Sequence, residues 1–161
     1  MSTPILTLIE EGMATLIGGM TKGGGYYYDW GSVNELDKSK MVYPAAQIEI
    51  VNEECMDSED GAWADTYLQT AYYQIRVWTR LVDETSAPYW DIDKELNMAL
   101  DDLKKLFGTN YHVSGKCDLI MYKGMQRETI RTGDIFVPKS MLTQFRITYT
   151  QDRTDPATTS E

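Results

Sequence analysis

Few residues in this chain combine a reactive type with a spacing that chemistry could use. There is a single histidine, His112, and there are two cysteines, Cys55 and Cys117. A zinc centre needs several thiolate or imidazole ligands at short range, and the stretch TNYHVSGKC supplies one of each. Nor does it carry a recognisable catalytic signature. A nucleophile and base drawn from His112 and either cysteine therefore stands only as an alternative reading, a small acidic enzyme using Cys, His or Asp. The carboxylates of NEECMDSEDG, residues 52–61, invite a calcium loop. If Gly61 is the turn glycine at position six, Met56, Ser58 and Tyr67 fall on three ligand positions and only Asp60 fits. Gly23-Gly24-Gly25 is no phosphate loop, because a helix precedes it and no lysine follows at the required spacing. Asp91, Asp93, Asp101 and Asp102 could be paired acids, but their place on an amphipathic helix reads as a solvated face. The expectation is no catalytic set, no metal and no cofactor.

The elements that would hold these residues are legible in the periodicity. TPILTLIEEGMATLIGGM predicts a helix, with Thr3 as cap, Pro4 in the first turn and Ile5, Ile9, Met13, Leu16 and Met20 on one face. The triple glycine ends it as a flexible connector. YYYDWGSV reads as an aromatic strand with Tyr26, Tyr28 and Trp30 on one side. AAQIEIV reads as a second strand, started by Pro44, with Ala46, Ile48 and Ile50 aligned. Residues 52–66 are expected to form an acidic loop. In TAYYQIRVWTRLV, Tyr73, Ile75, Val77 and Thr79 alternate with Gln74, Arg76, Trp78 and Arg80. SAPYWDIDKELNMALDDLKKLFG predicts a second helix with Ile92, Leu96, Ala99, Leu100, Leu103 and Phe107 in one stripe and Gly108 as its stop. Strands follow in CDLIMYKGMQRETI and DIFVPKSMLTQFRITYT, with turns near Lys123-Gly124 and Thr132-Gly133. In the last strand Phe145, Ile147 and Tyr149 oppose Arg146, Thr148 and Thr150.

Clustered strands and two helices predict an α+β fold, a mostly antiparallel sheet with an N-terminal helix and one central helix packed on it. Residues 1–150 form a single domain and 151–161, acidic and threonine-rich, a flexible C-terminal arm. Lys and Arg total 15 against 25 Asp and Glu, a net charge of −10. That balance argues against a protein that grips nucleic-acid phosphates, though an acidic wall suits a conduit through which DNA passes without adhering. No stretch is apolar and long enough to cross a bilayer, no secretory leader is expected, and both thiols read as reduced. The compositional oddity is 11 tyrosines and 4 tryptophans. Large aromatics beside arginines on an outward face suit protein contacts. The expected interface residues are Tyr27, Trp63, Arg76, Trp78, Arg80, Arg153 and Asp155. Burial of these rings under a helix on that face is the open alternative.

The order of elements, from the N-terminal helix through YYYDWGSV and YPAAQIEI, a polar excursion, YYQIRVWTRL, the helix DIDKELNMALDDLKKLF and a last strand running into YTQDRTDP, resembles the tail terminator (tail completion or neck) proteins of tailed bacteriophages. The resemblance spans the first helix through Pro156. It implies a virion structural protein made in the host bacterial cytoplasm, without enzymatic activity or cofactor. It implies a ring, usually hexameric, that caps the major tail tube protein, stops its polymerisation and meets a head-completion or neck protein, with DNA in its lumen. A head–tail connector, whether stopper or adaptor, is the nearest alternative.

Overall fold

Ile5, Ile9, Met13 and Ile17 stand four residues apart, so a helix places all of them on one face. That face is buried in helix α1, Ile5–Gly18. The computed structural model describes residues 3–55, 62–63, 66–80, 89–132 and 135–152. After α1 come strands β1 (Ser32–Val33), β2 (Ala45–Cys55), β3 (Ala62–Trp63) and β4 (Thr66–Trp78). Helix α2 (Tyr89–Thr109) and strands β5 (Leu119–Thr132) and β6 (Ile135–Asp152) complete the described chain. The sheet order is β1-β2-β4-β6-β5, with β3 paired to β4 at Trp63–Thr66 and Ala62–Tyr67. Every pairing is antiparallel except β1 with β2. The fold is α+β, as the patterning predicts.

Both helices lie on one face of the sheet. Tyr73, Ile75 and Val77 of β4 sit opposite Phe145, Thr143 and Met141 of β6, and all six are buried. Against them pack the α1 stripe and Ile92, Leu96, Ala99, Leu103 and Leu106 of α2. Two tyrosines at the rim of this core keep their hydroxyls satisfied. Tyr73 donates to Glu10 of α1 (3.1 Å) and Tyr149 to Glu53 of β2 (2.7 Å). Burial first, and then the adjoining carboxylate, holds both phenols protonated well above the ordinary tyrosine range.

Bulges decide which side chains reach that core. In β2 the register slips between Ile50 and Asn52, leaving Val51 unpaired. Ala46, Ile48 and Ile50 face the helices before the slip; Glu53 does so after it, which is how its carboxylate meets Tyr149. Against β6, β5 slips twice, between Tyr122 and Gly124 and between Glu128 and Thr129, and Gly124 has φ 145. The expected turn at Lys123-Gly124 is therefore a bulge inside one long strand, where glycine tolerates a conformation closed to other residues. Gly133 lies outside the described residues, but Thr132 pairs with Ile135 across it.

Several further expectations are corrected. Tyr26–Val33 is not a strand: a short 3-10 turn at Lys22–Gly24 leads into a loop, and only Ser32–Val33 joins the sheet. The glycines there form a defined turn, with the Thr21 hydroxyl accepting from the Gly24 amide (3.1 Å) and Gly25 at φ 90. Thr3 does not cap α1; Pro4 occupies the cap position without a side-chain bond. Residues 52–55 belong to β2, and 62–63 and 66 are also strand, so the acidic loop is shorter than 52–66. Helix α2 runs past Gly108 to Thr109. Strand β6 continues through Gln151 and Asp152, opposite Tyr67 and Thr66. The remainder of the expected arm lies outside the described residues.

Candidate assembly surfaces

Alternation in β4 sends Tyr72, Gln74, Arg76 and Trp78 away from the helices, onto a face that no described helix covers. All four are half-buried. Arg76 anchors this open face. Its Nε donates to Glu128 Oε1 of β5 (2.8 Å), and a guanidinium nitrogen lies 3.9 Å from Glu49 of β2. Ser140 of β6 donates to the same Glu128 oxygen (2.7 Å), and Gln74 donates to Glu49 (2.9 Å). One arginine thus ties three strands across the sheet.

Burial alone would raise the pKa of Glu128. The hydrogen bonds from Ser140 and Arg76, with the charges of Arg76 and Lys139, outweigh it and hold the carboxyl below the usual glutamate value. A carboxylate depressed in the native state stabilises above its unfolded pKa, near 4.5, and that contribution is lost as pH falls through the native value. Thermal melts between pH 6 and pH 3 will fall more steeply for the native chain than for Glu128→Gln, which cannot titrate. Parallel curves would show that this network contributes nothing to acid stability.

Beyond Trp78 the open face ends in a groove of about 550 Å³, walled by Tyr43, Arg76, Trp78, Glu128 and Ile130. Around this end stand the three most exposed large hydrophobic side chains of the described residues: Leu36 (80%), Phe136 (64%) and Val42 (60%). Topology sets all three at the same end of the sheet. β2 begins at Ala45 opposite Trp78, so the loop carrying Leu36 and Val42 lies at that end. The β5–β6 hairpin extends past Val77–Met141, carrying Phe136 opposite Arg131. None of the three was an expected interface residue. Single exposed apolar residues in unlike segments give no sequence signal; only the register shows that they share one end.

The expected interface residues are scattered. Arg76 and Trp78 share the groove. Arg80 does not join them: β4 stops at Trp78, and Arg80 turns to Glu95 of α2, with Nε at 2.9 Å. Tyr27 is 51% exposed, on the loop between α1 and β1. Trp63 lies on β3, and its side chain is outside what is described, as are Arg153 and Asp155. The candidate acids also separate. Asp93 accepts from Arg127 (3.0 Å), while Asp102 is buried, only 2% exposed, correcting its reading as a solvated face. His112 and Cys117 share a turn without facing each other. The His112 Nδ1 lies 2.9 Å from the Asp118 carbonyl, and the Cys117 thiol points to the Tyr111 carbonyl. Burial, then the charge of Asp118, pushes the Cys117 thiol up to about 12, the opposite of an activated nucleophile.

No family model matches the chain, and no curated protein matches it. Among the described residues no three carboxylate, imidazole or thiol side chains are grouped to hold a metal, and no helix is long and apolar enough to cross a membrane.

Proposed function

We propose that this chain is a virion structural protein, a tail terminator whose copies form a ring on the last layer of the tail tube, stop its growth and receive the neck. The reading rests on the resemblance in order of elements, and one observation carries it: the three most exposed large hydrophobic side chains of the described residues, Leu36, Val42 and Phe136, stand at one end of the strands, where Leu36 lines the Trp78 groove. Such a cluster is the form of a docking surface, since isolated exposed apolar residues need no explanation and a concentration of them does. The groove is open, and its Arg76 and Glu128 are already paired with each other, as fits a protein contact more than substrate turnover. In a ring whose axis runs near the strand direction, this end forms one axial face, where a tube end or a neck protein would seat.

The test is tube length. Tubes polymerised from the tail tube protein of the same virion are imaged by negative stain with and without this chain. Shorter, capped tubes are expected with it. Phe136→Asp combined with Val42→Asp removes the caps while the melting temperature moves by no more than a few degrees, because both side chains are exposed. Tubes of unchanged length and uncapped ends refute the terminator role.

A further inference from the structure

The two outer edges of the sheet differ in charge. The loop before β2 covers the start of its edge. Asn34 donates its amide to the Ala46 carbonyl (2.8 Å), and its side chain accepts from the Ile48 amide (2.8 Å). From Glu49 to Glu54 no described strand pairs with that edge. This stretch holds Glu49, Glu53 and Glu54 and no cation, with Ile50 and Val51 exposed at its centre. At the opposite edge the Ile120 amide is taken by the Tyr111 carbonyl (2.9 Å), and from Met121 to Thr132 no described strand lies outside β5. That stretch holds Lys123, Arg127 and Arg131 against Glu128 alone, with Met121 and Met125 exposed. Within a chain of net charge −10, β5 is a basic edge facing away from an acidic one.

We infer that the β5 edge of one copy of this chain pairs with the β2 edge of the next, making a head-to-tail, continuous antiparallel sheet. Three observations choose this occupant. Charge is the first. Pairing β5 with β5 sets cations against cations, and β2 with β2 sets glutamates against glutamates, so a two-fold contact is disfavoured and the unlike pairing favoured. Direction is the second. β2 opposes β4, β4 opposes β6 and β6 opposes β5, so β2 and β5 run oppositely within one copy. A neighbour related by rotation about an axis near the strand direction therefore presents an antiparallel edge without being inverted. Level is the third. Ile50, Tyr73, Phe145 and Tyr122 lie on one row across the sheet, as do Glu49, Gln74, Gln144 and Gly124. An unstaggered junction thus brings Lys123 near a neighbour's Glu49 and the exposed methionines near Ile50 and Val51. Such a contact closes as a ring or continues as a filament according to the angle between copies. It deepens the ring reading but does not need the tail tube.

The test is a charge swap read by sedimentation velocity at rising protein concentration and low ionic strength. Lys123→Glu with Gln126→Glu makes one acidic-edge variant; Glu49→Lys with Glu54→Lys makes its counterpart. Each variant alone should self-associate about tenfold or more weakly than the native chain, since like charges then meet at every junction. An equimolar mixture of the two should regain association, because each altered edge finds its complement, and a chain carrying all four changes should do the same. Cooperative melts with native-like circular dichroism confirm that each variant is folded; the Glu49→Lys pair melts lower, because Glu49 accepts from Gln74 and lies beside Arg76. A native chain that stays monomeric throughout overturns the inference, as do single variants that associate like the native chain or a mixture that gains nothing. Association that follows this pattern while tubes stay uncapped would refute the terminator role and leave the junction standing.

Discussion

Asp102→Ala lowers the melting temperature by about 10–15 °C, the largest effect expected of any single polar substitution here. Its carboxylate is buried on α2 and accepts from the backbone amides of Tyr27 (2.8 Å) and Tyr28 (3.2 Å) and from the Trp30 indole (3.1 Å). Hydrogen bonds to a charged group are the strong ones, and removing the acceptor leaves these donors without a partner. The cost is about 3–5 kcal/mol. For a domain of this length each kcal/mol shifts the midpoint by roughly 2–4 °C. Asp102→Asn keeps one acceptor oxygen but turns an amino group toward donors, so it falls between. Circular dichroism gives the midpoints, and Trp30 emission reports whether the indole leaves the core. A shift of only a degree or two for the alanine variant would show that water replaces the carboxylate. The clamp matters for the surfaces because the loop it fastens leads directly into Gly31 and β1, which support the exposed end. Lys105, three positions along α2, adds to the hold by donating to the Gly25 carbonyl (2.6 Å).

That clamp also marks where the sequence stops being legible. Ile5, Ile9, Met13 and Ile17, or Phe145, Ile147 and Tyr149, declare their faces by spacing alone, since period and burial agree within one element. Tyr26–Trp30 has the aromatic content of a strand, but Asp102, some 75 residues away, takes the amides that a strand would pair. Local propensity loses to a long-range acceptor that local pattern cannot see. A signal for Asp102 did exist: it stands three residues after Ala99 and four before Leu106, within the apolar arc of α2. A carboxylate in that arc must find donors. Arg80 misleads in the opposite way. The alternation of Gln74, Arg76 and Trp78 extends to it in sequence, but the strand has ended, and Glu95 claims the guanidinium.

The surfaces were the least legible part because register creates them. Val51 and Lys123 become bulge positions only when β2 and β5 are laid against β4 and β6. The contrast between an acidic and a basic edge requires knowing which strands are outermost. Read as a bare string, the charges average to an acidic protein. Placed on the sheet, they separate into unlike edges on either side of a face where Arg76 pairs with Glu128 and Glu49. On the proposed reading the functional residues are contacts defined by topology, so motif spacing carries little of that information.

Gly31→Ala is the second large effect, a loss of about 2–3 kcal/mol and about 5–10 °C in melting temperature. A Cβ at Gly31 would lie 2.4 Å from Val42 Cγ1, 2.6 Å from its Cβ and 2.8 Å from its carbonyl oxygen. The Val42 side chain is exposed and could swing aside, but its carbonyl is backbone and cannot. The segments are also tied on both sides of the approach: Gly31 donates to the Pro44 carbonyl (3.2 Å), and the Val42 amide donates to the Ser32 hydroxyl (2.7 Å). Relief requires the two chains to part, which strains those bonds and displaces the loop carrying Leu36 and Val42 at the exposed end. The matched control is Gly108→Ala. Nothing lies within 4 Å of its Cβ position, and it sits inside α2, so alanine there should raise stability by about 0.5–1 kcal/mol. Opposite signs for the two glycines, measured by thermal melts under one buffer, are the expected result. If Gly31→Ala is as neutral as a surface change, the contact between Gly31 and Val42 does not hold the end of the sheet in place. The exposed apolar side chains at that end would then need another support.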